Sequence, residues 1–309
     1  MRITLRGDSD DGRTGEGDNV QTDVEDAAGG SAGDTLIGND GNNHFLGGAG
    51  NDSLVGGRGA DDLSGQADDD NMSEAVVASP PDVDALDADT YSGGSGVDRV
   101  SWDGGAQAVR VDLDDVADDG RAGEGDDVES DVERLTGGGG SDTLIGDQDD
   151  NELVGGGRGD FLIGNEGRDR FFGGDGDDTL SEGAGAAAID GLDADRYEGD
   201  AGTDTVNFTG AALGVSIDLD GAADDGRPSE GDEVRPDVEK INGGNGGDTL
   251  TGDDDPNTII GNGGADDIDG AGGNDVLRGS SGVDALDGGP QTDDCDVGVD
   301  GGTEVNCEA

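Results

Sequence analysis

Aspartate is the residue type most able to do chemistry in this chain, and it recurs at a fixed spacing. The 309 residues include 62 Asp and 15 Glu against 16 Lys and Arg, and the net charge is −61. Nine-residue segments such as GGAGNDSLV (47–55), GGGGSDTLI (137–145) and GGDGDDTLS (173–181) have Gly at positions 1, 2 and 4, Asp at position 6 and a large apolar residue at position 8. Carboxylates gathered in this way are the ligands of a hard cation.

The nonads define the elements that must position these aspartates. Only positions 7 to 9 can form a strand, with position 8 pointing inward, while the glycines allow the first six residues to turn sharply. Two strand–turn units make a coil of eighteen residues, and stacked coils pair in parallel. The predicted fold is all-β, a parallel β-roll or β-solenoid with a thin core of position-8 side chains. Allowing substitutions at the glycines, nineteen nonads fall in the runs 29–64, 84–101, 137–181, 190–207 and 243–296.

Stacking would place each position-6 carboxylate near the one eighteen residues along. Like charges at that spacing repel strongly, and the net charge of −61 would drive the chain apart. Many oxygen ligands in flexible turns favour Ca²⁺, because Mg²⁺ demands a stricter octahedron and keeps its waters. The sequence therefore predicts multiple bound calcium ions.

The nonads resemble those of the hemolysin-type calcium-binding (RTX) family, and within it the secreted multi-repeat calcium-binding proteins of bacteria. The resemblance implies a β-roll in which position-6 carboxylates and turn carbonyls hold Ca²⁺. The implied ligands are Asp34, Asp52, Asp61, Asp89, Asp98, Asp142, Asp160, Asp169, Asp178, Asp195, Asp204, Asp248, Asp266, Asp275, Asp284 and Asp293. Asn43, Asn151 and Asn257 stand at position 6 instead. They either line weaker sites, since Asn lacks the charge, or cap the stack without meeting a metal.

A longer repeat lies over the nonads and divides the chain into copies at 1–102, 103–208 and 209–309. Each copy begins with a strand–loop–strand block, and the acidic loop of that block starts at Asp10, Asp118 or Asp224. The nonads of each copy follow its block, so the blocks are expected to interrupt the β-roll. The segments 65–83 and 182–189 break the nonad pattern, and we interpret them as surface excursions.

The acidic loops partly match a calcium-binding EF-hand loop. Asp115, Asp119 and Asp126 have suitable spacing, but the bidentate Glu is missing. We favour a solvated acidic loop, with an additional irregular calcium site as the alternative. The aromatic residues Tyr91, Trp102, Tyr197 and Phe208 recur at matching places in two copies. They are expected to cover the junction between the stack and the block.

The composition also bears on other functions. The acidic charge argues against nucleic acid as a partner, and no apolar run is long enough to insert in a membrane. GGSAG (29–33) matches a serine-hydrolase motif formally, but it is half of a nonad, and the single histidine, His44, supports no triad. We expect no enzyme in this chain. The alternatives are the calcium-dependent module of a larger secreted hydrolase or epimerase, or an adhesin or surface-layer segment with a protein or glycan partner.

Two features concern the cellular location. Cys295 and Cys307 stand at one end of an otherwise cysteine-free chain, which suggests a disulfide and an oxidising compartment. Millimolar external calcium suits many sites of modest affinity. Although MRITLRGDSDDGR at the N-terminus is not a signal peptide, we expect a protein that is secreted or at the cell surface.

Overall fold

The structure is a computed structural model that describes residues 1–7, 11–13, 19–74, 88–183 and 194–308. Regular secondary structure in these ranges consists of β-strands. Among the described residues no helix is long and apolar enough to span a lipid bilayer. The chain forms two compact units, an N-terminal unit (Met1–Asp147) and a C-terminal unit (Gln148–Ala309).

The strands of the N-terminal unit are short, as nonads with three strand positions require. They are β1 (Arg2–Thr4), β2 (Asp26–Gly30), β3 (Thr35–Ile37), β4 (His44–Ala49), β5 (Ser53–Val55), β6 (Asp62–Ala67), β7 (Asn71–Ser73), β8 (Thr90–Ser95), β9 (Arg99–Ser101), β10 (Val109–Asp112), β11 (Gly120–Arg121), β12 (Asp127–Val128), β13 (Arg134–Gly138) and β14 (Thr143–Ile145).

Successive strands of this unit alternate between two parallel ladders. One ladder runs β1, β3, β5, β7, β9, β13, and the other runs β2, β4, β6, β8, β12. A third group pairs β10 with β14 in parallel and with β11 in antiparallel orientation. This alternation of parallel strands confirms the predicted β-roll.

The C-terminal unit repeats the pattern. Its strands are β15 (Glu152–Gly157), β16 (Phe161–Ile163), β17 (Arg170–Gly176), β18 (Thr179–Ser181), β19 (Arg196–Gly202), β20 (Thr205–Asn207), β21 (Ser216–Asp218), β22 (Ala223–Asp225), β23 (Asp232–Val234), β24 (Lys240–Asn242), β25 (Thr249–Thr251), β26 (Thr258–Ile260), β27 (Asp267–Asp269), β28 (Val276–Arg278), β29 (Asp284–Asp287), β30 (Asp294–Asp296) and β31 (Gly302–Val305).

Three ladders organise these strands. They run β15, β17, β19, β23, with β22 antiparallel to β23; β16, β18, β20, β24, β26, β28, β30; and β21, β25, β27, β29, β31. The disulfide between Cys295 and Cys307 joins β30 to the residues after β31, with the two Cα atoms 5.8 Å apart. In the chain-entropy model, a loop this short contributes about 3 kcal/mol.

The core consists of position-8 side chains stacked in register. Leu36 pairs with Leu54, and Leu54 with Met72, and all three are at most 1% exposed. Tyr91 follows Leu63 in the second ladder of the N-terminal unit. Each buried side chain therefore contacts equivalents one coil away. This arrangement explains how a chain with only 29% hydrophobic residues folds.

The strand–loop–strand blocks supply further rungs. Strand β10 pairs in parallel with β14, β12 with β8, and β13 with β9. The blocks thus interrupt the nonad sequence, while their outer strands continue the parallel ladders. In the acidic loop that starts at Asp118, two short antiparallel pairings hold the chain together: β10 pairs with β11, and Asp119 pairs with Asp126.

The interpretation of 65–83 as a surface excursion is wrong for its first part. Residues 65–73 form a further nonad, GQADDDNMS, whose strand β7 lies between β5 and β9. Glycine at position 1, Asp70 at position 6 and Met72 at position 8 keep the nonad spacing although the glycines at positions 2 and 4 are lost. Residues 75–83, and residues 184–189 of the other predicted excursion, lie outside the described residues.

Candidate metal centres

The position-6 aspartates lie at the inner edge of the turns, immediately before the strands. All sixteen predicted aspartate ligands are buried, and the most accessible of them, Asp34, is 7% exposed. Position 6 follows the sharp turn and precedes the inward-pointing position 8, so its side chain is covered by the coil on either side. Carboxylates are seldom buried in this way unless something compensates their charge.

One oxygen of each of these carboxylates links two coils. The backbone N–H of Asp52 donates to Oδ1 of Asp70 at 2.7 Å. The same bond joins Asp160 to Asp178 at 2.7 Å and Asp266 to Asp284 at 3.0 Å. Successive position-6 residues therefore form continuous rows along the ladders, as the stacking of nonads predicts.

The second oxygen of many row members is buried without a hydrogen bond from any described residue. For Asp178, a Cβ placed on Gly173, at position 1 of the same nonad, would lie 2.4 Å from Oδ2. The carboxylate thus occupies the space that a side chain at position 1 would need. This explains the glycine at position 1 of this nonad. The aspartates with such an Oδ2 include Asp52, Asp70, Asp98, Asp126, Asp178, Asp204, Asp232, Asp266, Asp275, Asp284 and Asp293.

A main-chain carbonyl oxygen borders the same space. The Cβ placed on Gly173 would also lie 2.7 Å from the carbonyl oxygen of Gly199, one coil further on. At Gly47 the corresponding distances are 2.4 Å to Oδ2 of Asp52 and 2.7 Å to the carbonyl of Gly65. Carboxylate and carbonyl oxygens together are the donor set that Ca²⁺ prefers.

The electrostatics of the rows also fit a cation. Burial raises the pKa of Asp266 and of Asp275 to about 6, and neighbouring carboxylates add to the effect of burial. Burial likewise raises the pKa of Asp204 to about 7, although the N–H of Asp178 donates to it. Burial thus disfavours the ionised form of these carboxylates, and a cation beside them would offset that cost. The buried oxygens and the carbonyls beside them fit calcium.

The three asparagines are each paired with the aspartate one coil along. The N–H of Asn43 donates to Oδ1 of Asp61, that of Asn151 to Asp169, and that of Asn257 to Asp275, at 2.7, 2.8 and 2.9 Å. Asn257 also accepts a bond through its own Oδ1 from the N–H of Asp253 at 2.9 Å. Asp248 makes the equivalent bond through Oδ2 with the N–H of Gly244, at 2.7 Å. Whether the asparagines meet a metal stays a prediction.

The structure adds carboxylates to the rows that the nonad pattern did not identify. Asp70 bonds to the N–H of Asp52, and Glu133 and Glu239 accept from the N–H groups of Asp98 and Asp204, both at 2.7 Å. The nonad spacing was a signal for Asp70. The two glutamates had no such signal, because each lies 35 residues from its partner.

Asp126 and Asp232 in the acidic loops also continue rows. They accept from the N–H groups of Asp89 and Asp195, at 3.0 and 3.1 Å. Tyr91 and Tyr197 donate their hydroxyls to Oδ2 of the same two residues, Asp89 and Asp195, at 3.0 and 3.1 Å. The tyrosines thus hold the carboxylates next to the acidic loops.

The aromatic residues lie inside the roll beside these blocks. Tyr91 and Trp102 meet edge to face with centroids 6.1 Å apart, and Tyr197 and Phe208 do so at 5.9 Å. All four are at most 3% exposed.

The acidic loops are less solvated than the sequence suggested. Asp119, at 1% exposure, accepts at Oδ1 from the N–H of Asp112 and at Oδ2 from the N–H of Val128, at 2.8 and 3.0 Å. Asp225 makes the equivalent pair of bonds with Asp218 and Val234. These aspartates hold the loop onto the flanking strands, whereas Asp115 is exposed. Of the residues with EF-hand spacing, Asp119 and Asp126 pair through their backbones, but the carboxylates of Asp115, Asp119 and Asp126 do not form one of the carboxylate clusters found among the described residues.

Comparison with known families agrees with this geometry. The model of the RTX calcium-binding nonapeptide repeat (4 copies) matches residues 28–63, 46–73, 130–157, 154–186, 242–277 and 268–295, which together cover just over half of the chain. The match includes the nonad at 65–73. No curated protein matches the sequence.

Proposed function

The chain belongs to the RTX calcium-binding nonapeptide-repeat family, and from this premise we propose that calcium is the structural cement of an extracellular β-roll. The family shows that the chain binds calcium. The proposal adds that the ions couple binding to folding, because the ligands of each site come from different coils and converge only in the folded chain. Calcium binding then supplies free energy of folding.

The observation that supports the proposal most directly is the row of buried second carboxylate oxygens. In Asp52, Asp178 and Asp266 this oxygen is enclosed and makes no hydrogen bond with a described residue. An uncompensated buried charge costs several kcal/mol of folding free energy. Because the carboxylates recur in rows along each ladder, this cost recurs with them. The net charge of −61 adds long-range repulsion. Calcium ions remove both penalties.

An extracellular location follows from the same reasoning. Modest-affinity sites fill at about millimolar calcium, the concentration range of extracellular modules, and would be empty in the cytosol. The disulfide between Cys295 and Cys307 supports an oxidising compartment.

We propose a non-enzymatic role for this chain. His44, its single histidine, lies on β4 with Nε2 3.5 Å from the carboxylate of Asp62, and both side chains are about half exposed. It lies at the surface beside a carboxylate. Calcium ions are the proposed partners, and nucleic acid and membrane lipid are not.

Calcium titration of the full chain tests the proposal. With chelator, the far-UV circular dichroism should be that of a coil and the hydrodynamic radius should be large. Millimolar CaCl₂ should produce a β spectrum and a compact chain. Titrations with MgCl₂ and with NaCl at matched ionic strength are the controls, because they screen charge without supplying a suitable ion.

Two results would contradict the proposal. One is a spectrum and radius that do not differ between chelator and calcium. The other is folding by NaCl alone, which would show that screening suffices and that specific sites are not required.

A further inference from the structure

Two clusters of carboxylates lie outside the nonad turns, where the acidic loops meet the roll. In the N-terminal unit, Glu74 follows β7, while Glu124 and Asp126 lie in the loop between β11 and β12, and one oxygen from each lies within 4.8 Å of the others. Glu182, Glu230 and Asp232 form the same arrangement in the C-terminal unit. We call these two groups the junction clusters.

One arginine contacts two of the three carboxylates in each junction cluster. The guanidinium of Arg121 contacts Glu74 and lies 3.2 Å from Oε1 of Glu124, and Arg227 makes the equivalent contacts with Glu182 and Glu230. When all three are ionised, the carboxylates of each cluster carry two more negative charges than this guanidinium. Glu124 and Glu230 are 7% exposed, and Asp126 and Asp232 are completely buried. Such charges are costly to bury without a partner.

A buried oxygen without a hydrogen bond points into each cluster. Oδ1 of Asp126 accepts from the N–H of Asp89, but Oδ2 has no partner among the described residues. A Cβ placed on Gly120 would lie 2.2 Å from this Oδ2 and 3.1 Å from Oε2 of Glu124, so the two carboxylates face one small space.

The second cluster repeats this geometry. Oδ2 of Asp232 has no hydrogen-bond partner among the described residues, and a Cβ on Gly226 would lie 2.2 Å from it and 3.0 Å from Oε2 of Glu230. Gly120 and Gly226 have φ of +86° and +90°, a conformation that also favours glycine.

We propose that each junction cluster binds one calcium ion, separate from the ions of the nonad turns. Oxygens within 4.8 Å of one another need to move by only a few tenths of an ångström for one ion to contact all three at the usual Ca–O distance of about 2.4 Å. A divalent cation matches the two charges by which three ionised carboxylates exceed one guanidinium. Each oxygen of Glu124 accepts one bond from Arg121, Oε2 from the backbone N–H at 2.6 Å and Oε1 from the guanidinium at 3.2 Å, and each keeps a second lone pair for a metal. The ion joins the acidic loop to the end of β7 or β18, and so fixes the block on the roll.

Glu124 and Glu230 are the residues that separate this proposal from calcium binding in the turns, because neither lies in a row of position-6 carboxylates. The double variant Glu124→Gln/Glu230→Gln keeps their size and one acceptor oxygen. The control is Glu25→Gln/Glu166→Gln, with one exposed glutamate changed in each unit. Bound calcium is counted by native mass spectrometry of each full chain at saturating CaCl₂.

The expected result is one ion fewer for each altered cluster, with no loss in the control. An equal count in all three chains overturns the proposal while leaving the turn sites intact. Should the variant fail to fold, crystals of the unaltered chain grown with CaCl₂ decide the question. Anomalous difference peaks are expected between Glu74, Glu124 and Asp126, and at the second cluster. Peaks confined to the turns overturn the proposal, whereas an absence of peaks in the turns counts against the proposed function.

Discussion

Aspartate is buried both in the nonad turns and in the acidic loops, and the two regions differ in what its second oxygen meets. Asp178 in a turn bonds through Oδ1 to the N–H of Asp160, and its Oδ2 has no such partner. Asp119 in an acidic loop accepts through both oxygens from backbone N–H groups. Both residues are 1% exposed.

This comparison separates a metal ligand from a structural carboxylate. Burial and residue type are the same in the two regions, so neither identifies a site. A buried carboxylate that accepts from two N–H groups has both oxygens bonded within the chain, although burial still raises the pKa of Asp119 to about 7. One with an enclosed, unused oxygen is stable as an anion only when a cation arrives. The following predictions test that distinction, beginning with the largest effect.

Gly173→Ala should disable the turn at Asp178. The new Cβ would lie 2.4 Å from Oδ2 of Asp178 and 2.7 Å from the carbonyl of Gly199, so both oxygens must move. We expect a loss of about 1–3 kcal/mol of stability at saturating calcium, measured by thermal unfolding, and a higher calcium midpoint for folding.

Gly263→Ala is the matched control for this substitution. Its new Cβ would meet its nearest neighbour, Cα of Asn245, at an ordinary 3.5 Å. Its stability should change by about 0.5 kcal/mol or less. Equal calcium midpoints for the two variants would show that the space at position 1 plays no part in binding.

Asp178→Asn and Asp119→Asn should differ in how their effect on stability depends on calcium. The first removes a charged ligand but no hydrogen bond, so it should raise the calcium midpoint, by about tenfold if the ligand is worth about 1.4 kcal/mol. The second turns an amide NH₂ toward an N–H donor. It should cost about 1–3 kcal/mol at every calcium concentration. Chemical unfolding at several calcium concentrations separates the two, and the same calcium dependence in both would remove the distinction between the regions.

Asn257→Asp should have the smallest effect. Asp248 already makes, with the N–H of Gly244, the bond that Asn257 makes with the N–H of Asp253, so the substitution keeps this contact and adds a charge. If Asn257 lines a site, the calcium midpoint should fall by less than about tenfold. If the midpoint is unchanged or rises in the circular dichroism titration, Asn257 caps the stack and meets no metal.

The repeat fixed much of the outcome in advance. The residues at position 8 predicted the core and those at position 6 predicted the rows of carboxylates, because a period of nine residues places each position at the same point of every coil turn. The sequence could also have located Asp70, whose nonad keeps Asp and a large apolar residue at the expected positions. This nonad lacks glycine at positions 2 and 4, so the glycine pattern did not identify it.

The nonad repeat could not predict the junction clusters as groups of neighbouring side chains. Glu74 lies 47 residues from Arg121, across a strand, an insertion and two nonads, and no spacing relates it to Glu124 or Asp126. The EF-hand spacing in the acidic loop suggested Asp126, which lies in the cluster, but also Asp115, which is exposed, and Asp119, whose oxygens bond to backbone N–H groups. The carboxylates that do meet come from both sides of the roll's junction with the loop.

The amino-acid sequence by itself determined the β-roll, its core and the alignment of its carboxylates, since hydrogen bonding between equivalent turns preserves a periodic pattern. Only the tertiary structure decided which carboxylate oxygens are satisfied by N–H groups and which are left for a cation. Where a segment is inserted between coils, the next carboxylate of a row is no longer eighteen residues away. Asp195 follows Asp169 by 26 residues, and Asp126 follows Asp89 by 37 residues. Ladder pairing restores the register across these gaps, and it brings together side chains whose separation in the sequence has no period.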